Sequence, residues 1–563
     1  TSGGVNTITG NTIGSTTLAD NVLTATSTGT TAGVISGIIC SSSLTNNISN
    51  NTIQNVTNRY SGTSTSGLTR GILASSGINT INGNTIKNLS NLSPENGSGL
   101  SSSVIGIALS STTAGVQTVS NNTINKLSSG SGTGTISMAG IVASPSTSSI
   151  HKVFNNTISA ISAPLNTAAV VINGIAAIGG TSTYYNNMIV LGLDALGDSI
   201  TAAQEYNGIL KSATTDNKFY FNSVHIAGRG VAAGTANTYA FRRTGTAIDT
   251  AKNNVFVNTR SNAAAGTATH NSYGLNATTT FTSDNNDIWG NGTGWQAGVV
   301  GATPYNSLAT WKAGTALDAS SATVNPNFIS ATNLHINNAI TSSLESKAVV
   351  IGGISTDIDV QNRPGPSGSV NGGGTLPDMG ADEFDGIPVT LDMGAASLAL
   401  PLNSGCRTAA DTVRVTIKNY STQTINFAVD SVTVSCSVSG PNPTAFSDVV
   451  LNTDSLVGGA TMTVTFSTAY NMSAVGSYVF TASAVVTGDG ATSNDAMSAT
   501  TINNNIGTAS GTTNTICAFN ATTLSLTGAP SGATIQWQET YDTLGTWTNV
   551  AGATTTAPVV TPT

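Results

Sequence analysis

Ile48-Ser-Asn-Asn51-Thr-Ile53-Gln-Asn-Val56 reads apolar-x-x-Asn-x-apolar-x-x-apolar. The same pattern returns as Ile81, Asn84, Ile86, Leu89, as Val119, Asn122, Ile124, Leu127, and as Val153, Asn156, Ile158, Ile161. Weaker copies centre on Asn11, Asn187, Asn222, Asn254 and Asn286, so the recurring Asn steps by 40, 33, 38, 34, 31, 35, 32 and 32 residues. Self-similarity at such a period marks a solenoid or an array, whose units bury their apolar faces only by stacking on one another. A second signal keeps step: Gly37-Ile38, Gly71-Ile72, Gly106-Ile107, Gly140-Ile141, Gly174-Ile175 and Gly208-Ile209 each lie 13 to 16 residues before the next recurring Asn.

Each repeat therefore carries two or three short apolar stretches and a Ser/Thr/Gly loop. The stretches alternate, hold Ile, Val and Thr, and are bounded by Gly, Asn and Ser, which reads as strand. Glu occurs only five times, and no stretch shows a capped 3.6-residue period. In a parallel stack Asn51, Asn84, Asn122 and Asn156 lie over one another, where amides both donate and accept up the column. Asn also tolerates a left-handed corner, so the ladder Asn is expected to make the bend. Rungs about 4.8 Å apart give roughly 50 Å for ten or eleven rungs. A propeller, the structural rival, needs four strands per repeat.

The Asn-Thr-Ile ladder resembles a right-handed parallel β-helix. Asn325-Pro-Asn-Phe328, Leu334-His-Ile336, Asp357-Ile-Asp359, Arg363-Pro364 and Pro377-Asp-Met-Gly-Ala-Asp-Glu-Phe384 resemble the closing rungs of secreted bacterial β-helix proteins. The fold class expected is all-β: a right-handed parallel β-helix over residues 1–386, then immunoglobulin-like β-sandwich modules. The first module, 387–502, rests on alternating strands around Val413–Ile417, Val432–Cys436, Met462–Phe466 and Tyr478–Ala482, with a closing turn at Gly488-Asp489-Gly490 and Asn494-Asp495. Residues 503–563 look like the first part of a second, truncated module, whose Cys517 would pair in that family with a downstream Cys. The whole resembles the very large, repetitive surface adhesins of Bacteroidota exported by the type IX system, gliding-motility adhesins among them. That resemblance implies a secreted protein at the bacterial cell surface. Its implied partners are the export and attachment machinery and a surface polysaccharide or solid substratum.

Only 8% of the 563 residues are charged, but 39% are hydrophobic and periodically placed, so the chain is ordered rather than disordered. The net charge of −8 and the lack of a basic cluster larger than Arg242-Arg243 remove the electrostatic footprint of nucleic-acid binding. No apolar run is long enough to span a membrane. No signal peptide opens the chain, and Thr1 begins mid-repeat, so a segment of a longer processed polypeptide is expected, with more β-helix or a cap upstream. Cys40, Cys406, Cys436 and Cys517 lack metal spacing. Cys406 and Cys436 share a predicted β-domain, where a disulfide and two free thiols are both open; Cys40 reads as a small buried hydrophobe.

Parallel β-helices often cleave polysaccharides, a reaction that rests on paired carboxylates. Glycoside hydrolysis needs two, about 5 to 9.5 Å apart. Asp284-Asn-Asn-Asp287 is the best cluster, with Asp249 and Asp318 one repeat to either side, but no carboxylate column recurs at the repeat spacing. His151, His225, His270 and His335 are scattered, with His335 expected to face outward. No catalytic residue, metal ligand set or cofactor is assigned, and a non-enzyme is expected; a polysaccharide lyase or glycoside hydrolase is the alternative. Aromatics become frequent after Tyr184. Most are expected in the core. Trp289, Trp295 and Trp311 fall near predicted loops and are the candidates for stacking on sugar rings. Six Asp-Ser/Thr-x motifs resemble Bacteroidota O-glycosylation sites, at Ser199, Thr250, Thr412, Ser431, Ser455 and Thr543. The Asn-x-Thr sequons at Asn50, Asn121 and Asn155 sit beside the ladder and read as structural.

Overall fold

Strands of consecutive repeats pair in parallel, and each repeat lays one strand into each of three sheets. This is a computed structural model. It describes residues 4–16, 22–23, 29–93, 97–130, 135–163, 169–338, 340, 342–365, 376–384, 391–403, 407–421, 423–490, 492–504, 508–511, 520–528, 534–540 and 545–561. The chain divides into two compact units, Thr1–Ile387 and Pro388–Thr563.

The first unit is a parallel β-solenoid. Sheet I collects the Gly-Ile strands, from Ile35–Cys40 to Trp295–Val300; sheet II collects the strands before the recurring Asn, from Val5–Thr9 to Phe281–Asp284; sheet III collects those after it, from Thr12–Ile13 to Asp287–Trp289. The sheets hold ten, nine and ten described strands. Three strands per repeat, paired to their equivalents in the next repeat, exclude a propeller. Inward columns are in register: Ile48 pairs Ile81, Ile53 pairs Ile86, and Ile72 pairs Ile107, all fully buried. Further along, the same columns are filled by Tyr184, Phe219, Phe241, Phe256 and Tyr273, as expected for most of the aromatics. Burying one such side chain is worth about 1.5–3 kcal/mol, which offsets the entropy of ordering the long loops.

The recurring asparagines form one continuous ladder. Nδ2 of Asn11, Asn51, Asn84, Asn122, Asn156, Asn187, Asn222 and Asn254 each donates to Oδ1 of the next member at 2.9 Å. The same Oδ1 accepts the preceding member's backbone N–H, as Asn122 does from Asn84. The second amide hydrogen reaches back to a backbone carbonyl, as Asn122 does to Ile81. Each buried amide inside the column thus makes four hydrogen bonds, two donated and two accepted. The ladder ends on Asp318, whose Oδ1 accepts from Asn286 at 3.0 Å.

One expectation is corrected here. The left-handed residue at the corner is the one before the ladder Asn: Asn50, Asn121, Asn155, Asn186, Asn253 and Asn285 have φ between 52° and 63°. Gly10 and Gly83 take the equivalent place in two repeats, at φ 68°. The ladder Asn cannot bend there, because both ends of its side chain are fixed by the column. The sequon residues Asn50, Asn121 and Asn155 are therefore corner residues.

Among the described residues, the segment from Phe328 to Phe384 adds no strand to the three solenoid sheets. A short hairpin, Phe328–Ser330 with Asn333–Ile336, starts a strap that runs back over the outer face of sheet III. There it covers Met188, Val190, Val255 and Val257, giving those strands two buried faces. Before the strap, the chain closes the solenoid end with helix α1, Leu308–Thr315. Ser307 and Thr310 form a capping box at its start, and Ala316 ends it in the left-handed region.

In the second unit, Met393–Leu400, Arg414–Asn419 and Thr461–Thr465 form one antiparallel sheet; Val432–Ser439, Gly476–Val486 and Thr500–Asn504 form the heart of another. Val415, Ile417, Val464, Val434, Phe480 and Ala484 share one core between them. Asp489 Oδ2 accepts from Met393 N at 2.9 Å, tying the closing turn to the first strand. Cys436 is a free, buried thiol whose pKa burial pushes up to about 11. Cys406 and Cys517 lie outside the described residues. Cys40 is free and buried, as expected. Short antiparallel pairs follow, among them Thr508–Gly511 with Thr522–Thr527, compatible with a further immunoglobulin-like module.

Candidate functional site

The carboxylates singled out for an enzymatic reading are internal. Asp249 is fully buried, bonded to Lys211 Nζ at 2.9 Å and Arg243 Nε at 2.7 Å, both also fully buried. Asp318 accepts from Trp311 Nε1, Ser283, Ser321 and Asn286. Asp287 is fully buried, and burial holds its carboxyl well above the usual range, partly offset by the Val324 N–H. All three are buried inside the first unit.

Asp249 also ends a second polar column that the sequence reading missed. Asn6, Asn46, Asn79, Gln117, His151, Ser182, Asn217 and Asp249 stack in register on the inner side of sheet II. Asn46 donates to Asn79 at 3.0 Å, Asn79 to Gln117 at 2.9 Å, and the Gln117 N–H to His151 Nδ1 at 2.9 Å. Every member lies five residues before a ladder Asn. That fixed offset is the signal that could have found it.

The tryptophans divide. Trp311 on α1 is fully buried, stacked on Tyr273 at 5.2 Å and bonded to Asp318. It fits above Gly298, where a Cβ would come within 2.4 Å of its ring. It is a lid on the core and is withdrawn as a sugar-stacking residue. Trp289 and Trp295 are half-buried around Ser272, whose Oγ accepts from Trp295 Nε1 and donates to the Trp289 carbonyl. They keep some open surface but do not form a row.

A row does exist on sheet II. Register pairs Phe154 with Tyr185 and Tyr185 with Tyr220 on the outer face, and all three are half-buried. The Phe154 and Tyr185 rings stack with centroids 4.6 Å apart, about one rung, and planes 3° apart. Because their faces meet, the row offers ring edges and hydroxyls outward. Burial raises the Tyr185 phenol to about 12, so it remains a neutral donor. Two residues back along the same strands runs Lys152, Thr183, Lys218 and Thr250, with both lysines exposed. Tyr185 and Tyr220 pack in part against the cluster beneath the strap; what they and Phe154 leave open, with the two exposed ammoniums of Lys152 and Lys218, makes a strip suited to an extended sugar chain.

Of the O-glycosylation candidates, Ser199, Thr412, Ser431 and Ser455 are exposed. Thr250 is half-buried inside the strand Asp249–Lys252, flanked by the buried Asp249 and Ala251. Thr543 lies outside the described residues.

The strap is held by a knot of carboxylates that grip backbone. Asp357 accepts from Asp359, Gln361 and Glu383 N–H groups; Asp378 from Ser346 and Phe384; Glu383 from Gly365 and Asp378. Arg363 bonds Glu383 at 2.6 Å and lies 4.3 Å over the Phe221 ring. Burial raises the Asp357, Asp378 and Glu383 carboxyls. The strap also binds the corner residues: Asn186 donates to the Thr356 carbonyl at 2.8 Å and Asn253 to that of Val349 at 2.7 Å. Beside the knot, Asn333, His335, Asp359, Gln361 and Asp382 line a pocket of about 310 Å³. His335 is therefore half-buried in a pocket wall and bonded to Asp359 at 2.9 Å.

No family model, curated protein or solved structure matches this chain. Among the described residues, no helix is long and apolar enough to cross a membrane.

Proposed function

We propose that this chain is a segment of a long, secreted bacterial surface adhesin, in which the solenoid is a rigid, non-catalytic display for attachment to polysaccharide or to a solid substratum. The outer row Phe154–Tyr185–Tyr220, flanked by Lys152 and Lys218, carries the reading. Rungs repeat about every 4.8 Å, so the face presents equal groups at equal steps, as an extended polysaccharide does. The internal placement of Asp249, Asp287 and Asp318 supports a binder over a cleaving enzyme. The resemblance to Bacteroidota gliding adhesins supports export by the type IX system and surface attachment. The four exposed Asp-Ser/Thr sites are consistent with a glycosylated surface protein.

The test is a polysaccharide panel read two ways: retention of the purified chain, and release of reducing or unsaturated ends. Retention without release, weakened at least fivefold by Tyr185→Ala with Tyr220→Ala, is the expected outcome. Released product would put a lyase or hydrolase in place of the adhesin. Retention that survives the double substitution would move the contact surface elsewhere.

A further inference from the structure

The pocket beside the strap has the chemistry of a metal site. Its three ligand-type residues come from separate parts of the strap: His335 from the hairpin, Asp359 from the turn after Asp357, and Asp382 from the last segment. One donor atom of each lies within 4.8 Å of the others. Donors about 2.1 Å from one tetrahedral ion lie about 3.4 Å apart, so closing the site brings the donors together by at most about 1.4 Å. Asp382 is only 6% exposed. Its Oδ2 accepts the Ile336 N–H at 2.7 Å, whereas Oδ1 has no hydrogen-bond partner among the described residues, and Asp382 lines the pocket. A carboxylate this buried, with an oxygen left over toward a pocket, is an unmet demand for a cation. Asp357, Asp378 and Glu383 spend their oxygens on strap N–H groups and on Arg363, and so hold the segments that bring the three residues together.

We infer that His335, Asp359 and Asp382 hold a divalent transition-metal ion of the zinc class, which ties the hairpin to the rest of the strap. An imidazole with two carboxylates suits zinc better than calcium, whose sites are built from oxygens alone. Asn338 and Gln361 line the same pocket and can complete the shell, while Asn333 Oδ1 bonds His335 Nδ1 and so leaves Nε2 to face the ion. Two ionised carboxylates match the ion's charge. The ion takes the place between His335 Nε2 and Asp359 Oδ2, now 2.9 Å apart; as a metal ligand the imidazole must be neutral, so binding weakens in acid. The inference does not rest on the proposed glycan strip, although Tyr185 and Tyr220 of that strip pack against the strap.

The experiment uses the whole chain, free of affinity tags, stripped with EDTA and exchanged into buffer. Zinc chloride is titrated calorimetrically, with manganese and calcium chlorides alongside, and thermal unfolding is followed with and without each. One zinc per chain and a higher unfolding temperature are expected, with a visible absorption band when cobalt replaces zinc. His335→Gln and Asp359→Asn alter partly exposed side chains and should fold normally, yet each should weaken zinc at least tenfold and remove the thermal shift. The inference is overturned by the absence of zinc binding, by calcium binding alone, or by zinc binding that both variants retain.

Discussion

A ladder asparagine is worth more than one hydrogen bond because its amide closes four at once, as Asn122 does with Asn84 N and Nδ2, the Ile81 carbonyl and Asn156 Oδ1. Replacing Asn122 by Ala leaves the buried Asn84 N–H, the Asn84 amide and the Ile81 carbonyl without their partner. Each such loss costs about 1–3 kcal/mol, so Asn122→Ala should destabilise the solenoid by about 3–5 kcal/mol. Asn125→Ala removes only a bond to Ser159 on the outer face and should cost under about 1 kcal/mol. Chemical denaturation of the two variants makes the comparison. Gly106 sets a second test: an added Cβ would lie 2.6 Å from the Gly140 carbonyl and 2.7 Å from Ile124 Cγ2. Gly106→Ala should therefore cost about 1–3 kcal/mol through forced separation of two rungs. At this scale the sequence was legible where one residue type repeats. The second column escaped because Asn, Gln, His, Ser and Asp share its place, and only their offset from the ladder is constant.

At the scale of elements, the sequence showed the strands and misplaced what covers them. The Asn-Thr-Ile motif fades after Asn156 for a physical reason. Thr52, Thr85, Thr123 and Thr157 face outward on sheet III, but the next members of that column are Met188, Ser223, Val255 and Asp287, which lie beneath the strap. A weaker repeat there means a second buried face, not a failing solenoid. The tail motifs were visible, yet their carboxylates could be assigned to backbone grips only once the strap's path was known. Trp311 was misread because nearness to loops in sequence was taken for exposure, while α1 folds back over the core. Trp311→Ala should cost about 3–5 kcal/mol by uncovering Tyr273 and stranding Asp318, and should leave retention on a polysaccharide column unchanged in the folded fraction.

At the scale of the whole molecule, acid should act on the solenoid and its strap in opposite directions. Burial lowers the pKa of His225 and His270 to about 4, in the case of His270 aided by Arg260. The unfolded chain binds these protons first, so stability is complete above about pH 6.5 and falls as pH drops toward 4, by on the order of 2 kcal/mol for each histidine. Asp378, Asp382 and Glu383 are shifted upward by burial, so the folded strap takes protons before the unfolded chain and gains stability as pH falls. His225 lies between Thr259 and the hairpin carbonyl of Ala331, at the seam of the two. Hydrogen exchange at pH 7 and pH 5 should show faster opening around Val224 and His225 and slower opening around Asp378–Phe384; equal change in both would contradict this account. Fold class was readable from periodicity alone, because stacking needs nothing but register. The binding strip was not, since Phe154, Tyr185 and Tyr220 become neighbours only through pairing between coils.

The strap has a mechanical consequence. Drawn apart from its Val5 end, a plain solenoid pays out one coil at a time, and a coil of 33 residues, such as that between Asn51 and Asn84, releases roughly 110 Å of chain. Coils beyond Asn155 are stitched together at Asn186, Phe221 and Asn253 by one segment that crosses them all. They cannot leave singly. A single-molecule pulling trace should show short, regular steps followed by one long rupture, so that under load the filament frays at one end and holds fast at the other.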